Sequence, residues 1–585
     1  MLLHYRGRLY SVVIRIALAQ INSTVGDLTG NTAKICSYID KAKDLDVDLI
    51  AFPELAITGY PPEDLVFRNQ FVQENMKCSL EVSRYAKGIT AIFGFVELDN
   101  KLYNSAAVAS EGEMKGIHKK IFLPNYGVFD EERYFASGDT CPVFTINGIK
   151  VGVNVCEDIW YPKGPTTVQR VAGAELIVNI NGSPFHAGKR QDRESMLIER
   201  ALDHGLFIAY VNQVGGQDEL VFDGSSVVID PEGNVISRGA SFVEDLVICD
   251  IDTARLQQAR DANTQEFAAE GLENVGVPVH KHISNEIPQP KKQFIQKDIQ
   301  PTSSLEEVRK ALVIGTKDYV NKSGFQKVLI ALSGGIDSSL VAAIAAEALG
   351  PDNVIGISMP SQFSSEGSET DANELAKNIG IRIESIPIRQ IVTSMELALQ
   401  DQFHGTEWGV AEENIQSRIR GNLIMAMSNK FGWMVLTTGN KSEMAVGYAT
   451  IYGDMAGGFS VIKDVPKLMV YNLCRHINEI SSSIVIPQTI LDKPPSAELR
   501  PDQKDTDSLP DYDILDPILE AYVERDSSFQ EIVADGFESE TVANIISLVD
   551  RNEYKRRQSP PGIKITPRNF GRDRRMPVAN KFRSF

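Results

Sequence analysis

Short runs of β-branched and aromatic residues recur between Val13 and Asp252: "LIAF" from Leu49, "AIFGF" from Ala91, "KVGVNV" from Lys150, "LIVNI" from Leu176 and "FIAYVN" from Phe207. Each has strand length, and apolar positions at three- and four-residue spacing between them predict helices over Asn31–Lys43 and Arg190–Asp203. This first region therefore reads as α/β, rich in strands. The stretch from Asn274 to Ser303, "NVGVPVHKHISNEIPQPKKQFIQKDIQPTS", is polar, proline-spaced and without period, which predicts a linker or extended arm. A capped helix, "SSLEEVRKALVIGTKDYVNKSG", opens a second region. There the strand runs "KVLIAL", "NVIGIS", "IRIESIPI" and "WMVLTT" alternate with helices, the pattern of a doubly wound parallel sheet. The expected division is residues 1–273, an arm over 274–303, and residues 304–585. The charged, proline-rich stretch Pro494–Asp511 reads as a mobile loop.

Composition narrows the classes. A chain of 585 residues is too long for one core and suits about two to four domains. With 43% hydrophobic and 23% charged residues it is globular. A formal net charge of -19 argues against a nucleic-acid partner, since a phosphate backbone is captured by a basic surface, and favours small-molecule or protein partners. Six cysteines with no paired spacing fit a reducing cytosol, and no zinc pattern appears. The opening "MLLHYRGRLYSVVIRIALAQ" has its apolar run broken by Arg15, and nothing approaches a transmembrane span, so a cytoplasmic location is expected.

Three polar residues stand where strands of the first region end: Glu54 in "LIAFPELAITGY", Lys120 in "GIHKKIFLPNYGVFDEERYF" and Cys156 in "VGVNVCEDIWYP". A cysteine nucleophile needs a base to take its proton and a cation to steady thiolate and oxyanion, which Glu54 and Lys120 would supply. Singly, each has a plainer reading: a core thiol, or a surface charge. As a set, in the contexts "FPEL", "K-x-x-LP" and "C-E-D-x-W", they resemble the nitrilase superfamily, over the whole region. That resemblance implies an α-β-β-α sandwich with Cys156 as nucleophile, Glu54 as general base and Lys120 as oxyanion support. It implies a further acidic position at Glu131, where adjacent Glu132 leaves the assignment open. In glutamine-using members, residues matching Tyr126, Ser183 and Lys189 hold the amino-acid end of the substrate. Plainer readings of Tyr126 and Ser183 are a packed aromatic and a turn hydroxyl. His118 and His186, in loop-like settings, read as solvent-exposed rather than as partners of the cysteine.

The second region opens its chemistry in "VLIALSGGIDSSL" (328–340), an apolar strand running into a Gly-rich turn. The lysine of a G-x-x-x-x-G-K-[ST] loop is missing. Phosphate would have to be held by backbone N–H groups, serine hydroxyls and the positive end of the next helix. Asp337 would repel it unless Mg²⁺ lay between, since that ion binds through one or two carboxylates plus phosphate oxygens. The stretch Leu332-Ser333-Gly334-Gly335-Ile336-Asp337-Ser338-Ser339 resembles the PP-loop of ATP pyrophosphatases, which cleave ATP between the α- and β-phosphates. Adenylylation gives a carboxylate a leaving group, AMP, that an amine can displace, and glutamine can supply that amine as ammonia.

Beyond the loop, "MPSQFSSEGSETDANELAKNIGI", "EENIQSRIRGNLIMAMSN", "LTTGNKSEMAVGYATIYGDMAGGFSVIKDVPK" and "RRQSPP" resemble the NAD synthetase family, and the order of the two regions matches its glutamine-dependent form. The resemblance implies that the nicotinate carboxylate of deamido-NAD is amidated. It implies that Thr438 contacts ATP, that Asn414 and Lys555 contact deamido-NAD, and that Glu443 contacts deamido-NAD or Mg²⁺. It also implies a closing loop at "YATIYGDMAGGF", passage of ammonia between the sites, and a homo-oligomer from dimer up to octamer. Asn414 and Glu443 could instead be helix-surface residues, and Lys555–Arg557 a solvated face. Two other functions stay open: an amidotransferase acting on a different carboxylate, and an amide hydrolase regulated by a nucleotide-binding domain.

Overall fold

The computed structural model describes residues 3–5, 8–10, 13–252, 254–255, 272, 275–284, 291, 294 and 299–582. The chain divides into two compact units, Met1–Gln217 with Phe222–Thr302, and Asp218–Val221 with Ser303–Phe585. Within the segment read as an arm, residues 274, 285–290, 292–293 and 295–298 lie outside the described residues.

A hairpin of β1 (Leu3–Tyr5) and β2 (Arg8–Tyr10) opens the first unit. Its six-stranded sheet holds β3 (Val13–Gln20), β4 (Leu49–Ala51), β5 (Thr90–Asp99), β6 (Lys101–Ser110), β7 (Glu113–Lys119) and β16 (Asp245–Asp252), in the order β16-β3-β4-β5-β6-β7. Its seven-stranded sheet holds β8 (Thr140–Ile146), β9 (Ile149–Val155), β10 (Leu176–Asn181), β11 (Phe207–Asn212), β14 (Val227–Ile229), β15 (Val235–Arg238) and β17 (Val277–His282), in the order β15-β14-β11-β10-β9-β8-β17. A small hairpin pairs β12 (Val214–Gln217) with β13 (Leu220–Asp223).

The strand period of two sorts side chains into layers. On β3, Ile14, Ile16 and Leu18 meet Val151, Val153, Val178 and Val211 of the other sheet. Ala17 and Ala19 face outward, onto Leu28, Ile35 and Ile39 of the helix Leu28–Asp44. Across the molecule, Ile177, Ile208 and Tyr210 pack on Met196, Leu197 and Ala201 of the helix Lys189–His204. The unit is therefore an α-β-β-α sandwich with strands buried on both faces, which is why its strands read as continuous apolar runs. The edge strands β7 and β15 are only partly buried, and β17, a parallel edge strand on β8, has most positions exposed. It carries no apolar face, so its sequence shows no strand period.

In the second unit β18 (Val328–Ala331), β19 (Val354–Ser358), β20 (Arg382–Ser385), β21 (Met434–Thr437) and β22 (Phe459–Ser460) form one sheet of order β20-β19-β18-β21-β22. All its pairs are parallel. The chain leaves β18 in both directions, so the crevice at the carboxyl ends of β18 and β21 is the switch point where such sheets bind ligands. The stretch Pro494–Asp511, expected to be mobile, is tied down by its polar groups: Glu498 accepts hydrogen bonds from Ser365 and Ser368, Leu499 accepts one from Gln416, and Tyr512 donates to Asp505.

A close approach fixes one turn of the first unit. After β4 the chain crosses β5 at Gly94, where an added Cβ would lie 2.1 Å from the Leu55 nitrogen and 2.7 Å from the Glu54 carbonyl carbon. Gly94→Ala must push the turn Pro53–Leu55 off the sheet, a crowding that costs about 1–3 kcal/mol. The expected result is a lower urea midpoint for the unfolding of this unit, read by tryptophan fluorescence, with the secondary structure before the transition unchanged.

Candidate active site

Strand direction gathers the first cluster. β5 and β7 both run antiparallel to β6, and β4 runs parallel to β5, so β4 and β7 end at the same edge of their sheet. Glu54 follows β4 there and Lys120 follows β7; Cys156 follows β9 in the facing sheet. The three are buried. Lys120 Nζ lies 2.7 Å from Glu54 Oε1 and 2.9 Å from Glu131 Oε1. Glu54 Oε2 accepts the Gly182 N–H at 2.9 Å, and Tyr60 donates to Glu131 Oε1 at 3.0 Å. Cys156 turns the chain sharply, with φ 45°, a left-handed conformation that costs a side-chain-bearing residue on the order of 1–3 kcal/mol and accumulates at functional sites.

Burial sets the charges. It pushes the Cys156 thiol well up, Glu54 adds to that, and Lys120 opposes, so the resting sulfur keeps its proton. Burial alone would lower Lys120, but the carboxylates of Glu131 and Glu54 outweigh it and hold the ammonium charged. Burial raises Glu131, with Lys120 pulling the other way and Glu54 adding to the rise. Glu131 is buried in this cluster while Glu132 points to solvent, so the structure distinguishes two residues that the sequence left equivalent.

Of the other expected residues, Tyr126 and Lys189 lie near Cys156. Tyr126 is exposed, and its hydroxyl donates to both oxygens of Glu157 at 3.0 Å. Lys189 opens the helix Lys189–His204 with its Nζ 4.2 Å from the centre of the Trp160 ring, and burial, aided by Arg193, lowers its ammonium while Glu157 opposes. Ser183 is buried, its N–H donated to Asn212 Oδ1 at 2.9 Å. Glu157 was legible only as the neighbour of the cysteine. Asn104, whose amide donates to Glu54 Oε1 at 2.7 Å, was not legible as a site residue. The expectation of a solvent-exposed His118 is corrected: it lies on β7, fully buried, with Nε2 2.9 Å from Asp158 Oδ2. The alternation of β7 turns it inward although its neighbours are polar. His186 is half-buried, its Nδ1 against the Ala187 carbonyl.

The second cluster lines a cleft of about 760 Å³ at the switch point of the parallel sheet, shared by Leu332, Ser333, Gly335, Ile336, Asp337, Ser338, Thr438, Asn414, Glu443 and Lys555. Gly334 supports the loop from behind. Its φ is +72°, and an added Cβ would lie 2.2 Å from the Ser368 carbonyl oxygen. Ser338 and Ser339 both donate to the Gly335 carbonyl, at 3.0 and 2.8 Å, and the helix Ile336–Leu349 starts at the loop. Asn414 accepts from Thr450 at 2.7 Å, and Lys555 donates to the carbonyls of Gly447 and Ala449 at 2.7 and 3.0 Å.

The lysine missing from the loop arrives from elsewhere. Lys467 Nζ lies 2.5 Å from Asp337 Oδ2 and 3.3 Å from Glu443 Oε1, and Asn440 donates to Asp337 Oδ1 at 2.9 Å. Burial raises Glu443, Lys467 counters, and Asp337 adds to the rise. A signal was present in "DVPK": Lys467 stands at the first position of a helix, where the dipole disfavours a cation unless carboxylates face it. Among the described residues no group of three or more His, Cys, Asp or Glu is arranged to hold a metal. Asp337 and Glu443 are a pair of hard oxygen donors around a cation, which suits an ion that keeps phosphate oxygens and water as its remaining ligands.

Residues 15–261 match the carbon-nitrogen hydrolase family and residues 308–559 the NAD synthase family. The chain is 46% identical over 574 residues to the glutamine-dependent NAD(+) synthetase of Thermotoga maritima, covering 97% of this chain and 99% of that protein. It is 47% identical to the enzyme of the same name from Aquifex aeolicus, over 97% of this chain and all of the relative. The chain belongs to the glutamine-dependent NAD(+) synthetase family. It is accordingly an enzyme, a ligase that forms a carbon–nitrogen bond. A glutamine-dependent NAD+ synthetase from Acinetobacter baumannii, solved in complex with adenosine diphosphate, superposes with a TM-score of 0.74 at 39% identity, covering 98% of this chain and 100% of that one. One from Cytophaga hutchinsonii shares the fold, with a TM-score of 0.80 at 22% identity over 97% of this chain and 98% of that one. No helix among the described residues is long and apolar enough to cross a membrane.

Lys120 is the cation between two buried carboxylates, and removing one partner of such a pair costs about 3–5 kcal/mol. Glu131 is already raised in the folded state. A raised acid favours the fold at low pH, and that contribution is lost as pH rises through its folded value. Lys120→Met removes the opposing charge, so its deficit in melting temperature against the parent is expected to be small near about pH 5 and to widen toward about pH 8. A deficit independent of pH would show that the carboxylates do not depend on this ammonium.

Proposed function

We propose that the chain takes ammonia from glutamine at Cys156 and uses it to amidate the nicotinate carboxylate of deamido-NAD in the cleft of the second unit, giving NAD, AMP and pyrophosphate. The observation that carries this reading is the presence in one chain of a buried Cys-Glu-Lys cluster and a lysine-free glycine loop at a parallel-sheet switch point. We place the division of labour at the segment 274–303, with glutamine chemistry in residues 1–273 and synthesis in 304–585.

In the first reaction Glu54 takes the Sγ proton as the sulfur attacks the carboxamide carbon, and Lys120 steadies the oxyanion. Collapse expels nitrogen, which leaves as ammonia with the proton that Glu54 held. Water, deprotonated by Glu54, then cleaves the thioester and releases glutamate and the thiol. A zwitterionic amino acid needs one anion and one cation at the end remote from the sulfur. Glu157, held by Tyr126, faces the ammonium, while Lys189 and the Ser183 hydroxyl take the carboxylate. Glu131 shares Lys120 with Glu54 and helps hold that ammonium charged.

In the second reaction a nicotinate oxygen attacks the α-phosphorus of ATP and pyrophosphate leaves; ammonia then displaces AMP from the acyl adenylate. The N–H groups and hydroxyls of Ser333 to Ser339 hold the departing pyrophosphate at the helix N-terminus, and Lys467 supplies the cation the loop lacks. Thr438 contacts ATP; Asn414 and Lys555 contact deamido-NAD. Asp337 and Glu443 would hold Mg²⁺, which offsets the phosphate charge. The related Acinetobacter baumannii protein solved with adenosine diphosphate supports an adenine-nucleotide site here as well.

Cys156→Ala is expected to abolish product formation from glutamine while leaving formation from high ammonium within about twofold of the parent, since only the first reaction uses a thiolate. Loss of both in a folded variant would contradict the division of labour. Chromatography of the nucleotides should show AMP and pyrophosphate in equal amounts with NAD. ADP and orthophosphate as stoichiometric products, or turnover with another carboxylate in place of deamido-NAD, would overturn the reading.

A further inference from the structure

Two carboxylates face one ammonium in a dry pocket, one negative charge too many, and burial raises Glu131 toward carrying a proton. Lys120 contacts both at nearly equal distance, 2.7 and 2.9 Å, and does not decide where that proton sits. The neutral donors do. Tyr60 serves Glu131 at 3.0 Å, and the Gly182 N–H serves Glu54 at 2.9 Å. Those two are matched, and the remaining donor is Asn104. Its Nδ2 lies 2.7 Å from Glu54 Oε1 but 3.4 Å from Glu131 Oε2.

Asn104 is placed for this selectivity. It is fully buried on β6, and its backbone carbonyl accepts the Lys120 N–H at 2.8 Å, which fixes its amide against the same side chains that the lysine joins. Its Oδ1 has no hydrogen-bond partner among the described residues, although it is buried. A buried amide with an unsatisfied oxygen is costly, and the orientation persists because the nitrogen faces a carboxylate. Hydrogen bonds donated to a carboxylate favour its charged form. We propose that Asn104 is a positioning residue that keeps the proton on Glu131, so that Glu54 stands ionised when the thiol needs a base. The proposal rests on the reading of Glu54 as that base. The charged and titratable groups that face the pair are Lys120 after β7, Cys156 and Glu157 after β9, and Tyr60 after the β4 turn; all of them remain in the variants below except Tyr60, which is varied deliberately.

The test is the pH dependence of kcat/KM for glutamine in the full chain. Asn104→Leu is expected to move the acid limb upward by about one unit and to lower the neutral-pH value about tenfold, the size of one hydrogen bond to a charged group. Adding Tyr60→Phe removes the donor on Glu131, returns the proton to that residue, and is expected to recover part of the neutral-pH loss although a second hydrogen bond has gone. Ammonium-supported synthesis on the same preparations shows that the protein is folded. If Asn104→Leu is not recovered folded, Asn104→Ser, which leaves more room and no amide, is expected to show the same upward shift. A fall uniform in pH with the limb unmoved, or a double variant no better than the single one, would overturn the proposal. Glu54→Gln separates the two readings. If it still uses glutamine, the base is misassigned; if it is inactive while the limb stays unmoved in Asn104→Leu, only the role of Asn104 fails.

Discussion

A buried ammonium held between two carboxylates organises each site of this chain: Lys120 between Glu54 and Glu131, and Lys467 between Asp337 and Glu443. Desolvating such groups costs several kcal/mol per ion, and the arrangement survives only where every charge has a close partner. That constraint explains much of what surrounds them. Gly182, Asn104 and Tyr60 complete the first cage with hydrogen bonds, and Asn440 completes the second. It also fixes each ammonium in place, since Lys120 and Lys467 are each held from two sides by carboxylates.

The folds deliver these groups by different routes to one geometric end. In the sandwich, strands from both sheets end near one another, and Glu54, Lys120 and Cys156 follow within a few residues of β4, β7 and β9. In the second unit the loop after β18 and the turn after β21 frame the crevice where the parallel order reverses. Close-packed glycines make both possible: Gly94 lets the Glu54 turn cross β5, and Gly334 lets the loop press on Ser368.

The interior strands were legible in the sequence because they are buried on two faces and so appear as unbroken apolar runs. The helices expected over Asn31–Lys43 and Arg190–Asp203 lie within Leu28–Asp44 and Lys189–His204. β17 was not legible, because an exposed edge strand needs no apolar period. Nor was the burial of His118, since alternation on β7 overrides the polarity of its neighbours. Residues at strand ends could be singled out from a single chain, because position and chemistry coincide there. Asn104 could not, and Lys467 showed only as a cation at a helix start: each matters through a partner distant in sequence, Lys467 through Asp337 and Asn104 through Glu54, and only the folded chain brings those pairs together.

The central claim is that the second site activates a carboxylate by transferring AMP to it, with ammonia as the incoming group. Deamido-NAD labelled with ¹⁸O in its nicotinate carboxylate tests it most directly, with the AMP formed in the presence of ATP and glutamine examined by mass spectrometry. Because the oxygen that attacks phosphorus departs with AMP, one labelled oxygen is expected in the AMP phosphate and none in pyrophosphate. Unlabelled AMP, with the label found in pyrophosphate, orthophosphate or water, would contradict the account.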